Sequence, residues 1–248
     1  MSKFTKLFLI ALMLGATVTL AACGKKEATN KADIEAIVKN YILEHPEVLI
    51  EAVQKYQQRS EADLDKKAET EILNRKDEIF KNPASPVAGN PKGKIQIVEF
   101  FDYNCGYCRK MLPDITKLIN ENKDVKIIFK EMPILGPTSQ TGALAALAAN
   151  DIAPEKYFAF HTALMNHSGP KDEAAIKDAA DKAGIDSAKV LEKMKDKKYA
   201  DALNKNVELG TALNVNGTPT FILNGKMIRG AVGYQGLENA LAGKDPYK

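Results

Sequence analysis

The chain has 248 residues, 45% of them hydrophobic and 27% charged, with a formal net charge of +3. That length supports a substantial core, and the balance excludes a disordered segment or a polybasic nucleic-acid binder. Three cysteines and no tryptophan exclude a small disulfide-stapled scaffold, so each cysteine needs its own account.

Residues 1–22 read as an export signal: Lys3 and Lys6 are basic, and Leu7 to Leu20 is an apolar run too short to span a bilayer comfortably. The run ends Leu20-Ala21-Ala22-Cys23, which resembles the bacterial lipobox. That resemblance implies a mature chain that starts at a lipid-modified Cys23 and is tethered to the membrane in the periplasm. An ordinary signal or anchor with an incidental cysteine is the alternative. Residues 23–30 are small and polar and read as a tether.

A helical region over 31–81 follows. Ile34, Ile37, Val38, Tyr41 and Ile42 recur at helical spacing, and Pro46 then starts a second helix. From Pro46 to Phe80 the apolar positions, among them Leu49, Val53, Tyr56, Ile72 and Ile79, make only a narrow stripe. Such a helix needs a partner, either the rest of the chain or a second copy. The Pro-, Gly- and Asn-rich stretch over 82–93 predicts a domain boundary, with the catalytic domain over 85–248.

Within that domain Ile95 to Phe101 predicts a buried strand, Arg109 to Asn120 a helix kinked at Pro113, and Val125 to Phe129 a second strand. Residues 137–213 give only helical signals. Thr220 to Leu223, the Asn224-Gly225 turn and Met227 to Ala231 predict a hairpin, and a last helix runs from Gln235 to Leu241. The order is that of an α/β thioredoxin fold with an all-helical insert, preceded by a helical region.

Cys105-Gly106-Tyr107-Cys108 sits where a strand gives way to a helix. At a helix N-terminus the free N–H groups and the dipole favour a thiolate, which makes Cys105 the exposed attacking thiol and Cys108, one turn inside, the resolving one. A zinc site would need two more ligands, and the three histidines, His45, His161 and His167, are scattered and read as structural. Covalent haem would need histidine where Arg109 stands, and no metal or other cofactor is expected. A purely structural disulfide remains an alternative, although so short a loop adds little stability.

The blocks Ser85 to Pro91, Val98-Glu99-Phe100-Phe101-Asp102-Tyr103-Asn104-Cys105-Gly106-Tyr107-Cys108 and Lys130-Glu131-Met132-Pro133-Ile134-Leu135-Gly136 resemble the DsbA family of bacterial thiol-disulfide interchange proteins. The resemblance runs from Ser85 to the C-terminus. It is strongest to members with an extra N-terminal helical region, such as ScsC-type proteins and dimeric DsbA variants. It implies that Gly217-Thr218-Pro219-Thr220 is a cis-proline loop and that Gly106, Tyr107, Thr218 and Pro219 form a substrate-binding set. It also implies that Glu99 is a buried acid exchanging protons with Cys108. Read without the family, Glu99 is equally a strand-edge carboxylate facing solvent or paired with Lys130.

Gly-Tyr between the cysteines replaces the Pro-His of strongly oxidising DsbA, and with Thr218 it resembles DsbC-like isomerases, so a less oxidising couple is expected. An isomerase or reductase of exported proteins is favoured over a dithiol oxidase. A non-enzymatic metal-binding or adhesion lipoprotein is the remaining alternative. The expected partners are cysteine-containing clients, a membrane protein that resets the couple, and a second copy of the chain in a homodimer or other homo-oligomer.

Overall fold

The computed structural model describes residues 30–248. Cys23 and the signal segment therefore lie outside the described residues. The chain divides into two compact units, one up to Gln58 and one from Arg59 to Lys248.

In the first unit, helix α1 (Lys31–Glu44) starts at Asn30, whose side chain accepts the Asp33 N–H at 3.0 Å. His45 interrupts it and Pro46 opens α2 (Pro46–Asn74), which continues into the second unit. Among the described residues up to Gln58 no side chain is buried, and Ile37, Leu43, Leu49, Ile50, Val53 and Tyr56 are all exposed.

The second unit is built on a five-stranded sheet. Its strands are β1 (Val87–Gly89), β2 (Ile95–Phe101), β3 (Val125–Glu131), β4 (Thr220–Leu223) and β5 (Lys226–Arg229), in the order β1-β3-β2-β4-β5. Only β2 and β3 pair in parallel, with Glu99 opposite Phe129. The crossover between them is α4 (Gly106–Glu121), which runs unbroken through Pro113. Asn224 and Gly225 both take positive φ, 53° and 76°, which closes the tight hairpin expected there.

Between β3 and β4 lie α5 (Pro137–Ile152), α6 (Tyr157–Asn166), α7 (Glu173–Ala183), α8 (Ser187–Lys193) and α9 (Lys197–Ala212). The last helix is α10 (Gly233–Leu241). One face of the sheet, with Ile97, Phe101, Ile127 and Phe129, packs against α4 and the inserted helices in a single large core.

The opposite face draws on residues that precede the proline-rich stretch. Val98, Phe100, Ile128 and Ile222 pack against Ile72 of α2 and Ile79 of α3 (Lys76–Phe80), together with Leu209 and Leu213. The end of the charged helix thus supplies side chains to this face, in keeping with a division of the chain near Gln58. The narrow stripe therefore has two parts. Ile72 of α2 and Ile79 of α3 are buried against the chain's own sheet, while Leu49, Val53 and Tyr56 stay exposed.

Candidate functional site

The end of β2 delivers the chain into a turn over 102–104, and Cys105 caps the N-terminus of α4. The Cys105 thiol is held down at about 5, chiefly by a hydrogen bond from Cys108, with help from the Thr218 side chain and the backbone N–H groups of Cys108 and Tyr107, against the opposing effect of burial. Cys108, inside the first turn, is pushed far up by burial, by its hydrogen bond to Cys105 and by the charge of Glu99. At neutral pH one sulfur is therefore a thiolate and its neighbour a thiol, the division of labour that a nucleophile and a resolving group require.

Cys105 is less exposed than the sequence suggests, at 6%. The reason is the Thr218–Pro219 loop, whose peptide bond is cis and whose Thr218 carbonyl lies 3.2 Å from the Cys105 Sγ. A thiol can donate across that gap, whereas a thiolate cannot. The loop is fixed from both sides, by the Thr220 hydroxyl donating to Gly217 O at 2.8 Å and by the Gly230 N–H donating to Pro219 O at 2.9 Å. Gly106 faces open space and Tyr107 is 66% exposed, so the two residues between the cysteines border the entrance.

Glu99 lies on the core face of β2, on the side of the sheet covered by α4, and is 2% exposed. It does not pair with Lys130, which alternates to the other face and donates from Nζ to Glu78 O at 2.9 Å. The Glu99 Oε2 is buried without a hydrogen bond. Burial, reinforced by the Cys105 charge, pushes its carboxyl up to about 8. A carboxyl without a fixed partner, electrostatically linked to both sulfurs, is suited to carry a proton.

Sequence reasoning assigned no role to several residues that the structure gathers here. Asp102 is buried at the mouth of the CxxC turn. Glu131, at the end of β3, is held up at about 8 by burial and is approached by Tyr157 Oη at 3.4 Å and Asn206 Nδ2 at 3.3 Å. His161 is kept neutral by burial, which lowers it to about 3, and its Nδ1 lies 3.1 Å from Tyr103 Oη. Asp102 and Glu131 stand inside the blocks that carry the family resemblance, yet nothing in their spacing says that they are buried. Among the described residues, no cluster of three or more His, Cys, Asp or Glu side chains is placed to hold a metal ion, and no helix is long and apolar enough to cross a membrane.

The DSBA-like thioredoxin domain profile matches residues 96–242, from β2 to the last helix and including both cysteines and the cis-proline loop. The chain belongs to the DSBA-like thioredoxin domain family. Residues 30–62 match a second profile, the N-terminal domain of copper resistance protein ScsC. A linker-deletion mutant of Proteus mirabilis ScsC is similar at TM-score 0.67 and 26% identity, covering 90% of this chain and 97% of that one. The Wolbachia pipientis thiol-disulfide exchange protein alpha-DsbA2 is similar at TM-score 0.66 and 34% identity, over 71% of this chain and 95% of that one. Among curated relatives, Bacillus subtilis disulfide bond formation protein D is 27% identical over 173 residues, 64% of this chain and 78% of that protein. The Na(+)/H(+) antiporter NhaA 1 of Salinispora arenicola is 26% identical over 157 residues, but the chain spans only 24% of that protein's length.

Proposed function

We propose that this member of the DsbA-like family is a protein thiol-disulfide oxidoreductase in which Cys105 attacks and Cys108 resolves. The observation that carries the reading is the opposed tuning of the two sulfurs, one held down at about 5 and the other buried and held up. The Cys105 thiolate attacks one sulfur of a client disulfide, forming a mixed disulfide and releasing the other client sulfur as a thiolate. In reduction, Glu99 first releases its own proton to solvent once the Cys105 charge is gone, then takes the proton of Cys108, which attacks Cys105 and leaves a Cys105–Cys108 disulfide and a reduced client. In isomerisation a different client thiolate attacks the client sulfur of the mixed disulfide first, which forms a new client disulfide and releases Cys105 as the thiolate. Substitution Cys108→Ala should trap clients on Cys105. Adducts that accumulate on Cys105→Ala instead would reverse the roles.

Isomerase or reductase action is favoured by Gly106 and Tyr107, which offer the thiolate no side-chain cation. A specific observation favours the oxidase alternative. A thiol at about 5 falls between those of thioredoxin, about 7, and DsbA, about 3.5, and a lower value stabilises the reduced form. Alkylating thiols in intact cells separates the two readings: Cys105 and Cys108 are free in an isomerase and bridged in an oxidase.

The site would serve exported, cysteine-containing clients and be reset by a membrane partner, on a periplasmic chain anchored through Cys23. Homo-oligomerisation through 30–58 is supported by the exposed apolar side chains there. Leu49→Lys with Val53→Lys should lower the solution mass in light scattering, and an unchanged mass would remove that assignment.

A further inference from the structure

Opposite charges on a helix surface tend to pair one turn apart, and the inserted helices of this chain follow that rule. Lys177, Lys182 and Lys197 each meet a carboxylate four positions away, at 3.2, 2.7 and 2.8 Å. One end of the sheet departs from it. Lys92, Lys94, Lys123, Lys126, Lys226 and Lys244 stand there, all exposed except Lys126, which is half-buried. Among the described residues, none of these six is paired with a carboxylate.

The topology brings the six to one pole. β1 is antiparallel to β3, so the turn over 90–94 lies beside the turn over 122–124. Asn90 Nδ2 donates to Lys123 O at 2.9 Å, and the Ile95 N–H donates to Asp124 O at 3.0 Å. β4 is antiparallel to β2 with Leu223 opposite Ile97, which puts the Asn224-Gly225 hairpin and Lys226 at the start of β2. Asn224, Lys226 and Lys244 line one small cavity there. Acids at this pole are fewer. Asp124 lies among the lysines, Glu121 accepts from Tyr234 Oη at its border, Glu155 lies across a cavity from Pro91, and Asp245 is paired with Lys248 at 3.3 Å. A positive excess therefore remains on a chain whose formal net charge is only +3. The CxxC leaves the other end of β2, whose seven residues set the two ends about 20 Å apart.

Resting on the anchoring through Cys23 proposed above, we infer that this lysine pole is a docking surface for a membrane carrying anionic phospholipid headgroups. Arginine forms planar, bidentate pairs with particular acceptors, whereas lysine is a mobile point charge on a flexible stem. These turns carry six lysines and no arginine, which suits a diffuse layer of phosphates better than fixed carboxylates on a folded partner. Docking by this pole turns the CxxC away from the lipid. At about 20 Å the site lies beyond the screening length of roughly 8 Å, so the negative surface leaves the Cys105 thiolate undisturbed.

The test uses the mature chain with Cys23→Ser, which keeps every described residue and can carry no lipid, and vesicles of phosphatidylcholine with or without phosphatidylglycerol. Sedimentation should show binding to the vesicles that contain phosphatidylglycerol, weakening as salt is raised. A lysine near an anionic surface contributes about fivefold to partitioning, so Lys92→Gln with Lys123→Gln and Lys226→Gln should lower it about 100-fold. Lys94→Gln with Lys244→Gln should lower it about 25-fold, and decides the matter if the triple variant does not fold. Lys177→Gln with Lys182→Gln and Lys197→Gln removes as much charge from the helices and should leave partitioning within about twofold. Equal falls in the two triple variants, equal binding to both kinds of vesicle, or no binding at all overturns the docking surface. The anchor is scored separately, by the mass of Cys23 in chain taken from cells. An unmodified Cys23 beside a clear lysine effect refutes the anchor alone, and a lipid there without a lysine effect refutes the docking alone.

Discussion

Replacing Glu99 by glutamine is expected to stabilise the reduced protein at alkaline pH and to slow the second half of the exchange. In the unfolded chain this carboxyl titrates near 4.5, and in the fold burial and the Cys105 charge raise it to about 8. A raised carboxyl contributes its full stability below the unfolded value and loses it as pH climbs through the folded one. The loss runs at up to about 1.4 kcal/mol per pH unit between those limits. Glutamine does not titrate. The advantage of Glu99→Gln should therefore grow from near zero at about pH 5 to the order of 3 kcal/mol at about pH 8. Cys105 shifts in the opposite sense, but it is present in both proteins and cancels in the difference, apart from its coupling to Glu99. Urea unfolding of the two reduced proteins across this range measures the effect. With the proton acceptor gone, release of a peptide from the mixed disulfide by Cys108 should also slow by about 10–100-fold at neutral pH. A stability difference that stays flat with pH, or resolution at the wild-type rate, would refute the assignment of Glu99 as the buried proton carrier.

Alkylation of Cys105 by iodoacetamide should rise through a midpoint near pH 5. Its folded value lies below the unfolded value of 9.0, so the stabilisation of the reduced state is complete above about 9 and disappears as pH falls through 5, visible as a narrowing gap between reduced and oxidised melting temperatures. Ile79→Ala should cost about 2–5 kcal/mol in urea unfolding, because the side chain is fully buried under the sheet; a cost like that of an exposed position would return residues 59–80 to a separate helical region. Slower resolution leaves mixed disulfides longer-lived, so Glu99→Gln should also raise the ratio of reshuffling to net reduction when scrambled protein is the substrate, read from the products by mass spectrometry.

The thioredoxin order was legible because each step carries a strong local signal: the β-rich run Ile95 to Phe101, the CxxC at a strand-to-helix junction, the Asn224-Gly225 turn. Pro113 lies inside α4, and the helix continues past it. The burial of the segment before the proline-rich stretch was not legible. Proline and glycine in 82–93 mark turns, but a turn separates domains only if the segment before it has no burial to share, and that depends on Ile72 and Ile79 meeting Phe100 and Ile128 from far along the chain. Asp102 was illegible because its partners, Ile134, Leu135 and Ser139, lie more than thirty positions away and two of them bind through backbone N–H groups that have no residue signature.

In the exchange proposed above, the position of Glu99 would give the steps an internal order. While Cys105 is a thiolate, its charge adds to burial in keeping the Glu99 carboxyl protonated. Attack on a client removes that charge, because the sulfur becomes part of a neutral mixed disulfide. One of the two causes holding Glu99 up then disappears, and the carboxylate becomes easier to form at the step in which Cys108 must lose a proton. Burial alone would keep an acid neutral at every stage, and an acid near solvent would be ionised throughout. Only an acid that is both buried and coupled to the attacking sulfur is held back during attack and made available during resolution. The hydrogen bond between the two cysteines disappears in the same step, so that Cys108, too, is released from one of the effects that raise it. In the proposed exchange, proton transfer and sulfur exchange are therefore linked through charge on a single strand-to-helix junction.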